Sequence, residues 1–242
     1  MAINLIKEID KFTFKQSNLN KYYFLFENKN NTKVNCYIEK KKINENSKNT
    51  KNLENKFIIN QKDKLFWCFY IFLNGYQEYY LINNFFITEK NFKINCVKKI
   101  RDEKDKLKLH KISKNLVEND LVNEDKITLK TLNCLALIYN LNIIYIKKRV
   151  IFIMNYSSEK LINCKNIIEV NNDDINLLNL SSETIQEILD TYYNIDNINK
   201  PINAISYYKL EDLIKISKKL NLELVNKQKK NLYTEISNYI YY

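Results

Sequence analysis

Cys68 is the residue whose type best suits covalent chemistry, and it lies in the segment DKLFWCF at residues 63–69. A cysteine attacks as its thiolate, so it needs a base within hydrogen-bonding reach. The chain has one histidine, His110, in the lysine-flanked segment KLKLHKIS, for which we predict a helix or a loop. The predicted strands after residue 140 contain no histidine. Since free cysteines are usually buried packing residues, the pattern favours a core thiol, with a cysteine nucleophile as the alternative.

Lysines near the C-terminus suit a second kind of chemistry, which is contact with phosphate. Six lysines form two groups along the chain. The first three share one predicted helix, and the last three cluster at the start of the next helix, where cations oppose the helix dipole. A phosphate bound at that same helix end would offset the cost. We therefore predict nucleic-acid binding here, with a solvated helix face and protein docking as alternatives. The six lysines are Lys215, Lys218, Lys219, Lys227, Lys229 and Lys230.

The scarcity of glycine and histidine excludes several classes of site. Gly75 is the only glycine, so glycine-rich phosphate loops and the GxSxG nucleophile elbow cannot occur. A single histidine excludes HExxH sites and zinc fingers that need two histidines. The cysteines are odd in number and form no CxxC pair, which predicts reduced thiols in an intracellular, reducing compartment, with no metal and no cofactor. They are Cys36, Cys68, Cys96, Cys134 and Cys164.

The charge of the chain favours an anionic polymer as partner. The formal net charge is +11, from 39 Lys and Arg against 28 Asp and Glu. Such an excess attracts nucleic acid, whether DNA or RNA. Part of the lysine excess is what drift in an AT-rich genome produces. The first residues lack a signal-peptide core, and the most apolar run, Leu65–Leu73, is too short to cross a bilayer, so we predict no membrane partner.

Composition and periodicity divide the chain into three regions. Residues 1–56 are predicted to contain a short helix, a hairpin and a mobile basic loop. Residues 57–199 form a core in which helices precede strands, and residues 200–242 form a module of helix, extended step and helix. The predicted fold class is α+β, a helix-rich core around a small antiparallel sheet plus the C-terminal module. The predicted strands are Asn142–Ile146, Val150–Met154 and Asn166–Val170, and the first two flank a predicted hairpin turn at Lys147–Arg149.

Three segments of the core region have the patterns of helices. Lys64–Gly75 is apolar on every face, which indicates a buried helix or strand that stops at Gly75. A long basic helix is predicted over Lys90–Lys108, with Thr88 as its N-cap. Thr128–Tyr139 has one apolar stripe at helical spacing and predicts an amphipathic helix.

The order of these motifs resembles papain-like cysteine peptidases, and OTU-like deubiquitinases in particular. In that family a nucleophilic cysteine heads a core helix, and a later helix like TLKTLNCLALIY leads into a strand like NIIYI. The resemblance implies that Cys68 aligns with the nucleophile and that Asn142–Ile146 and Val150–Met154 form the sheet opposite it. It also implies a papain-like topology, with or without the activity.

The last 35 or so residues resemble SAP modules, which are small DNA-binding domains, so the resemblance implies DNA rather than RNA as the partner. The resemblance is carried by YKLEDLIKISKKLNLELVNKQKKNLYTEISNYI, with a leucine-rich helix, a KLNL step and a lysine-led second helix. SAP modules usually have a glycine in the step, where this chain has Asn221 and Asn226. Both asparagines tolerate left-handed backbone.

The combination of DKLFWCFYIFLNG, FITEKNFKINCVKKIR and this tail resembles an uncharacterised family of nucleocytoplasmic large DNA viruses. That resemblance implies a location in the host cytoplasm, at the viral factory, or in the virion. The favoured hypothesis is a non-catalytic viral protein that associates with nucleic acid through its C-terminal module. The alternatives are a cysteine peptidase with Cys68 as nucleophile, and a structural protein that binds viral or host proteins on an inactive papain-like fold.

Overall fold

The computed structural model describes residues 56–171, 174–222 and 228–241. Our predictions for residues 1–55, and for most of the extended step in the C-terminal module, lie outside these residues.

Eight helices form in the described residues, together with two short 3-10 turns at Leu161–Asn163 and Ile205–Tyr207. The first five lie between the first strand and the second, the sixth lies between the fifth strand and the sixth, and the last two belong to the C-terminal module. The helices are α1 (Lys64–Tyr80), α2 (Phe85–Asp102), α3 (Lys104–Leu109), α4 (Lys114–Val122), α5 (Leu129–Ile138), α6 (Ser182–Thr191), α7 (Leu210–Lys219) and α8 (Lys229–Tyr241).

Helix α1 begins where predicted and continues past its predicted end. The Asp63 side chain caps it by accepting the backbone N–H of Phe66 at 3.3 Å. Gly75 interrupts the helix with φ 84°, a conformation that glycine adopts without a Cβ clash. The helix resumes beyond this kink and ends at Tyr80, so Gly75 is a kink within the segment rather than its stop.

The predicted basic helix is two helices, and it starts earlier than predicted. Asn84, not Thr88, is the N-cap of α2, because its side-chain oxygen accepts the backbone N–H of Ile87 at 3.0 Å. The chain leaves helical geometry at Glu103 and re-enters it in the short α3. Helix α5 agrees with the prediction, with Thr128 as its cap.

In the described part of the chain, the sheet has six strands in the order β1-β5-β4-β2-β3-β6. The three predicted strands are confirmed to within one residue, and three further strands were not predicted. The strands are β1 (Lys56–Ile58), β2 (Asn142–Lys147), β3 (Val150–Asn155), β4 (Ile167–Asn171), β5 (Asp174–Leu178) and β6 (Tyr193–Asn194).

The α+β class is confirmed, and the sheet is mixed rather than antiparallel. Strands β2 and β3 form the predicted hairpin. After β3 the chain crosses back and places β4 parallel to β2, and β6 follows α6 to pair in parallel with β3. Parallel partners need a crossover connection, which local strand patterns do not reveal.

Both faces of the sheet are covered by helices. Successive side chains of each strand point to opposite faces, so each strand contributes to the packing on both. Ile143 and Phe152 pack on one face with buried residues of α1, α2, α4 and α5. Ile144 and Ile151 pack on the other face with Ile185 of α6. The hairpin β2–β3 is therefore buried along most of its length, and its turn emerges at the edge of the core.

A buried ionic cluster joins α1 to α2. Lys93 Nζ lies 2.6 Å from a carboxylate oxygen of Asp63 and 2.8 Å from one of Glu89. The Trp67 indole donates to Glu89 at 3.0 Å, and Asp63 also accepts the backbone N–H of Ile127. Every charge in the cluster has a partner, as burial of charged groups requires.

Candidate nucleic-acid interface

Helices α7 and α8 pack against each other and against the β3 side of the sheet. Leu213 of α7 and Leu220, its C-cap, are buried with Leu232 and Ile236 of α8, and Val150 of β3 belongs to the same cluster. The apolar stripe of each helix is used in this contact, so the polar faces turn outward.

The outward face of α7 carries three of the predicted lysines. Lys215, Lys218 and Lys219 are exposed, whereas Leu213 and Ser217 are fully buried. Positions separated by three and four residues have Cβ atoms roughly 5–6 Å apart on a helix, so the three ammonium groups form one patch. Lys218 and Lys219 occupy the last turn, where the helix dipole favours positive charge. None of the three forms an ion pair with a described residue.

The turn between β2 and β3 brings more cations to the end of α7. Arg149 Nε donates to the backbone oxygen of Lys219 at 2.8 Å, and its guanidinium carbon lies 4.7 Å from the ring centroid of Tyr192. Lys148 is exposed, and its Nζ lies 5.1 Å from the ring centroid of Tyr239 in α8. The turn thus contacts both helices. We call the exposed lysines of this surface the basic face: Lys148, Lys215, Lys218 and Lys219.

Arg149 has a structural part in this surface. A helix leaves its last carbonyls without intrahelical partners, and the Arg149 guanidinium satisfies the one at Lys219. Asn221, the second residue after α7, has φ 55°, and this left-handed step lets Leu222 N–H bond to the Ser217 oxygen at 3.0 Å. These contacts fix the end of α7 against the hairpin.

The remaining predicted lysines lie at the other end of α8. Lys229 and Lys230 are its first residues, and Lys230 is exposed. At 1.5 Å per residue, Lys230 is about 14 Å along the axis from Tyr239, which marks the hairpin contact. No acidic residue stands in the first turn of α8 to offset these cations. Lys227 lies outside the described residues.

From the sequence, Lys147–Arg149 are predicted as a turn, with no part in the nucleic-acid interface. Three consecutive cations in a short hairpin turn predict a patch of exposed positive charge, because turn residues usually lie at the surface. Their proximity to Lys219 could not be seen, since Arg149 and Lys219 are 70 positions apart in the chain.

Cys68 lies in the interior of the core. It is fully buried in α1, five positions after the cap Asp63, within the largest apolar cluster. Burial, together with the nearby Asp63 carboxylate, raises the pKa of the Cys68 thiol far above its usual range. A protonated thiol without access to solvent has the properties of a packing residue.

His110 is exposed at the C-terminal end of α3, and its ring contacts a different residue. The ring meets that of Tyr156 edge-on, with centroids 5.7 Å apart. No hydrogen bond joins His110 and Cys68 in this structure. The structure therefore does not bring the two candidate catalytic residues together in a bonded pair.

Comparisons of the chain with protein-family models, with curated proteins and with solved structures give no match. The viral, peptidase-like and SAP-like resemblances therefore stay predictions. Among the described residues, no three His, Cys, Asp or Glu side chains are grouped so that they could hold a metal ion. None of the helices in the described part of the chain is long and apolar enough to cross a membrane.

Proposed function

We propose that the chain binds nucleic acid through the basic face, by contacts with phosphate and without reading the base sequence. The observation that carries the proposal is the set of exposed α7 lysines that have no acidic partner among the described residues, extended by the docked β2–β3 turn. Unpaired lysines on a rigid helix attract a polyanion and release its counterions on binding. Phosphate contacts of this kind position a duplex but carry no sequence information.

Duplex DNA is the proposed ligand. The SAP-like pattern of residues 206–242 supports DNA, and α7 and α8 form the two-helix pair which that pattern implies. Lys229 and Lys230 at the first turn of α8 supply a second contact point, where the N-terminal end of the helix dipole also favours a phosphate. Association with viral DNA in the host cytoplasm or in the virion belongs to the same proposal.

The test compares two triple variants that lose the same charge. In Lys215→Gln/Lys218→Gln/Lys219→Gln the basic face is neutralised. In Lys98→Gln/Lys160→Gln/Lys165→Gln, three exposed lysines of the core are changed, and these also form no ion pair with a described residue. Fluorescence anisotropy with a labelled DNA duplex measures the affinity of each variant and of the unmodified chain.

We expect the basic-face variant to bind DNA at least about tenfold more weakly and the core variant to bind almost as the unmodified chain does. Equal losses in both variants would mean that only the net charge matters, and would overturn the proposal. A matched RNA duplex in the same titration tests the choice of DNA, which fails if RNA binds as tightly. No binding of the unmodified chain at low salt would leave the structural role with protein partners as the better account.

A further inference from the structure

A cavity of about 490 Å³ is lined by residues of the core, and the proposed DNA binding does not use it. It lies between the loop after α3, the first turn of α4, α5, the outer edge of β3 and residues 196–199. Its volume is in the range of small-molecule sites, roughly 300–1,000 Å³. The strand β6 covers β3 only at Val150 and Ile151, so the edge of β3 beyond them is free to form a wall.

The inner wall of the cavity is apolar. Val117 of α4 and Phe152 of β3 are almost fully buried, and Ile112 and Ile198 are half-buried beside them. Branched aliphatic side chains around one aromatic ring form a surface that suits a flat or branched hydrocarbon body.

The rim of the cavity is cationic. Lys111 and Lys130 line it, both are exposed, and neither forms an ion pair with a described residue. Asp196 is the one acid among the described residues that line the cavity. Two uncompensated lysines close to an apolar wall are the combination that holds an organic anion by its charged group.

Polar groups at the same rim are placed to hold that charged group. Ser113, the N-cap of α4, makes no capping hydrogen bond with its side chain, and the first turn of α4 contains no acid. The first N–H groups of a helix favour an anion. Tyr156 donates its hydroxyl to Asn133 Oδ1 at 2.9 Å, and His110 packs edge-on to Tyr156, which fixes the opposite side.

We propose that this cavity binds a small organic anion, a carboxylate or a phosphate ester carried on a flat apolar body. The apolar body lies against Phe152 and Ile198, and the anionic group lies at the rim between Lys111 and Lys130. The proposal concerns a different surface from the basic face and does not depend on DNA binding.

Two fluorescent probes with one hydrocarbon body separate the two halves of this proposal. Anilinonaphthalene sulfonate carries the anion, and phenylnaphthylamine is its uncharged counterpart. We expect the sulfonate to bind saturably at one site per chain and at least about tenfold more tightly than the uncharged probe. Equal affinities for the two probes would overturn the anionic part of the proposal.

Substitutions of cavity residues test whether the probe binds in the cavity. Lys111→Gln/Lys130→Gln is expected to weaken sulfonate binding about tenfold while the uncharged probe is unaffected, and Lys98→Gln/Lys165→Gln is the charge-matched control. Ile198→Glu adds a carboxylate to the inner wall and is expected to abolish sulfonate binding. Unchanged sulfonate affinity in either cavity variant would overturn the proposal.

Competition then identifies the anionic group. Displacement of the sulfonate by phenyl phosphate but not by benzoate would assign a phosphate ester, and the reverse result would assign a carboxylate. Failure of both to displace it would overturn the proposal for either class. A DNA duplex added in the same assay is expected to leave the sulfonate bound, because the two surfaces are separate.

Discussion

Positive charge has two different environments in this protein. One is the buried core around Lys93, and the other is the exposed end of α7 with Lys218 and Lys219. Lys93 is buried between the carboxylates of Asp63 and Glu89, with both oxygens within 2.8 Å of its nitrogen. Lys218 and Lys219 are exposed and have no carboxylate partner in the described part of the chain. One cation is satisfied inside the protein, and the other two are available to a ligand.

The contrast extends to the two regions as a whole. Without the hairpin turn at residues 147–149, the described residues before residue 199 contain seventeen lysines and arginines. Eight of these form ion pairs. None of the seven described lysines from Lys200 onward does. Compositional drift toward lysine affects the whole chain, so it does not by itself explain the unpaired cations of the C-terminal helices.

Thiol reactivity is expected to show the largest difference between native and unfolded protein. The four described cysteines are buried, and a buried thiol reacts only when the structure opens. In a Cys36→Ser variant, which confines the measurement to those four, we expect labelling by a disulfide reagent to be at least about a thousandfold slower in the native state than in urea. If one thiol reacted rapidly in the native state and mapped to Cys68, this would contradict the burial of Cys68 in the core. It would favour the alternative of a cysteine peptidase.

Removing the buried cation tests the core side of the comparison. Lys93→Ala leaves the Asp63 carboxylate buried without its charge partner, which costs about 3–5 kcal/mol of unfolding free energy. Urea denaturation measures the change. Lys98→Ala, at an exposed position of the same helix, serves as the control and is expected to change stability by less than about 0.5 kcal/mol. Similar losses in the two variants would show that the cluster is not what holds α2 to α1.

The same cluster predicts a loss of stability at alkaline pH. Burial opposes the charged form of Lys93, but hydrogen bonds to Asp63 and Glu89 outweigh it and raise the pKa of Lys93 above the ordinary 10.5. The contribution is therefore complete below pH 10.5 and disappears as the pH rises through the folded-state pKa. Denaturation across that range should show a smaller alkaline loss in Lys93→Met than in the unmodified chain, and parallel curves would contradict the assignment.

The hairpin contact is expected to give a smaller, local effect. Arg149→Ala removes the hydrogen bond to the Lys219 oxygen and the contact with Tyr192, together about 1–2 kcal/mol. Hydrogen exchange should become faster in α7 and α8 and stay unchanged in α1. Lys147→Ala is the neighbouring control, and uniform acceleration throughout the chain would argue against a local role for Arg149.

Local sequence patterns were sufficient to predict the helices and strands in which apolar side chains recur at a regular spacing. The apolar stripe of Thr128–Tyr139 and the two aliphatic runs of the β2–β3 hairpin are examples, and all three are confirmed. The strand β5 was missed, because its sequence DINLL begins with an acid and an asparagine interrupts its apolar residues. The parallel pairs were missed, because they depend on crossovers and not on the strands themselves.

The candidate site was visible in part for a similar reason. The spacing of Lys215, Lys218 and Lys219 places them on one helix face whatever the fold. The addition of Lys148 needed the tertiary contact of the hairpin with the end of α7. The contact of Lys93 with Asp63 was hidden in the same way, since Asp63 lies 30 positions away at the cap of another helix.

The salt dependence of DNA binding tests the central claim most directly, because it counts the phosphates that the protein contacts. Binding of the unmodified chain and of Lys215→Gln/Lys218→Gln/Lys219→Gln would be titrated on one duplex between about 50 and 200 mM salt. If the α7 lysines contact phosphate, the slope of log affinity against log salt concentration should be smaller in the variant by about two to three, close to one per lost contact. Equal slopes for the two proteins would show that these lysines do not touch the DNA, and would contradict the account.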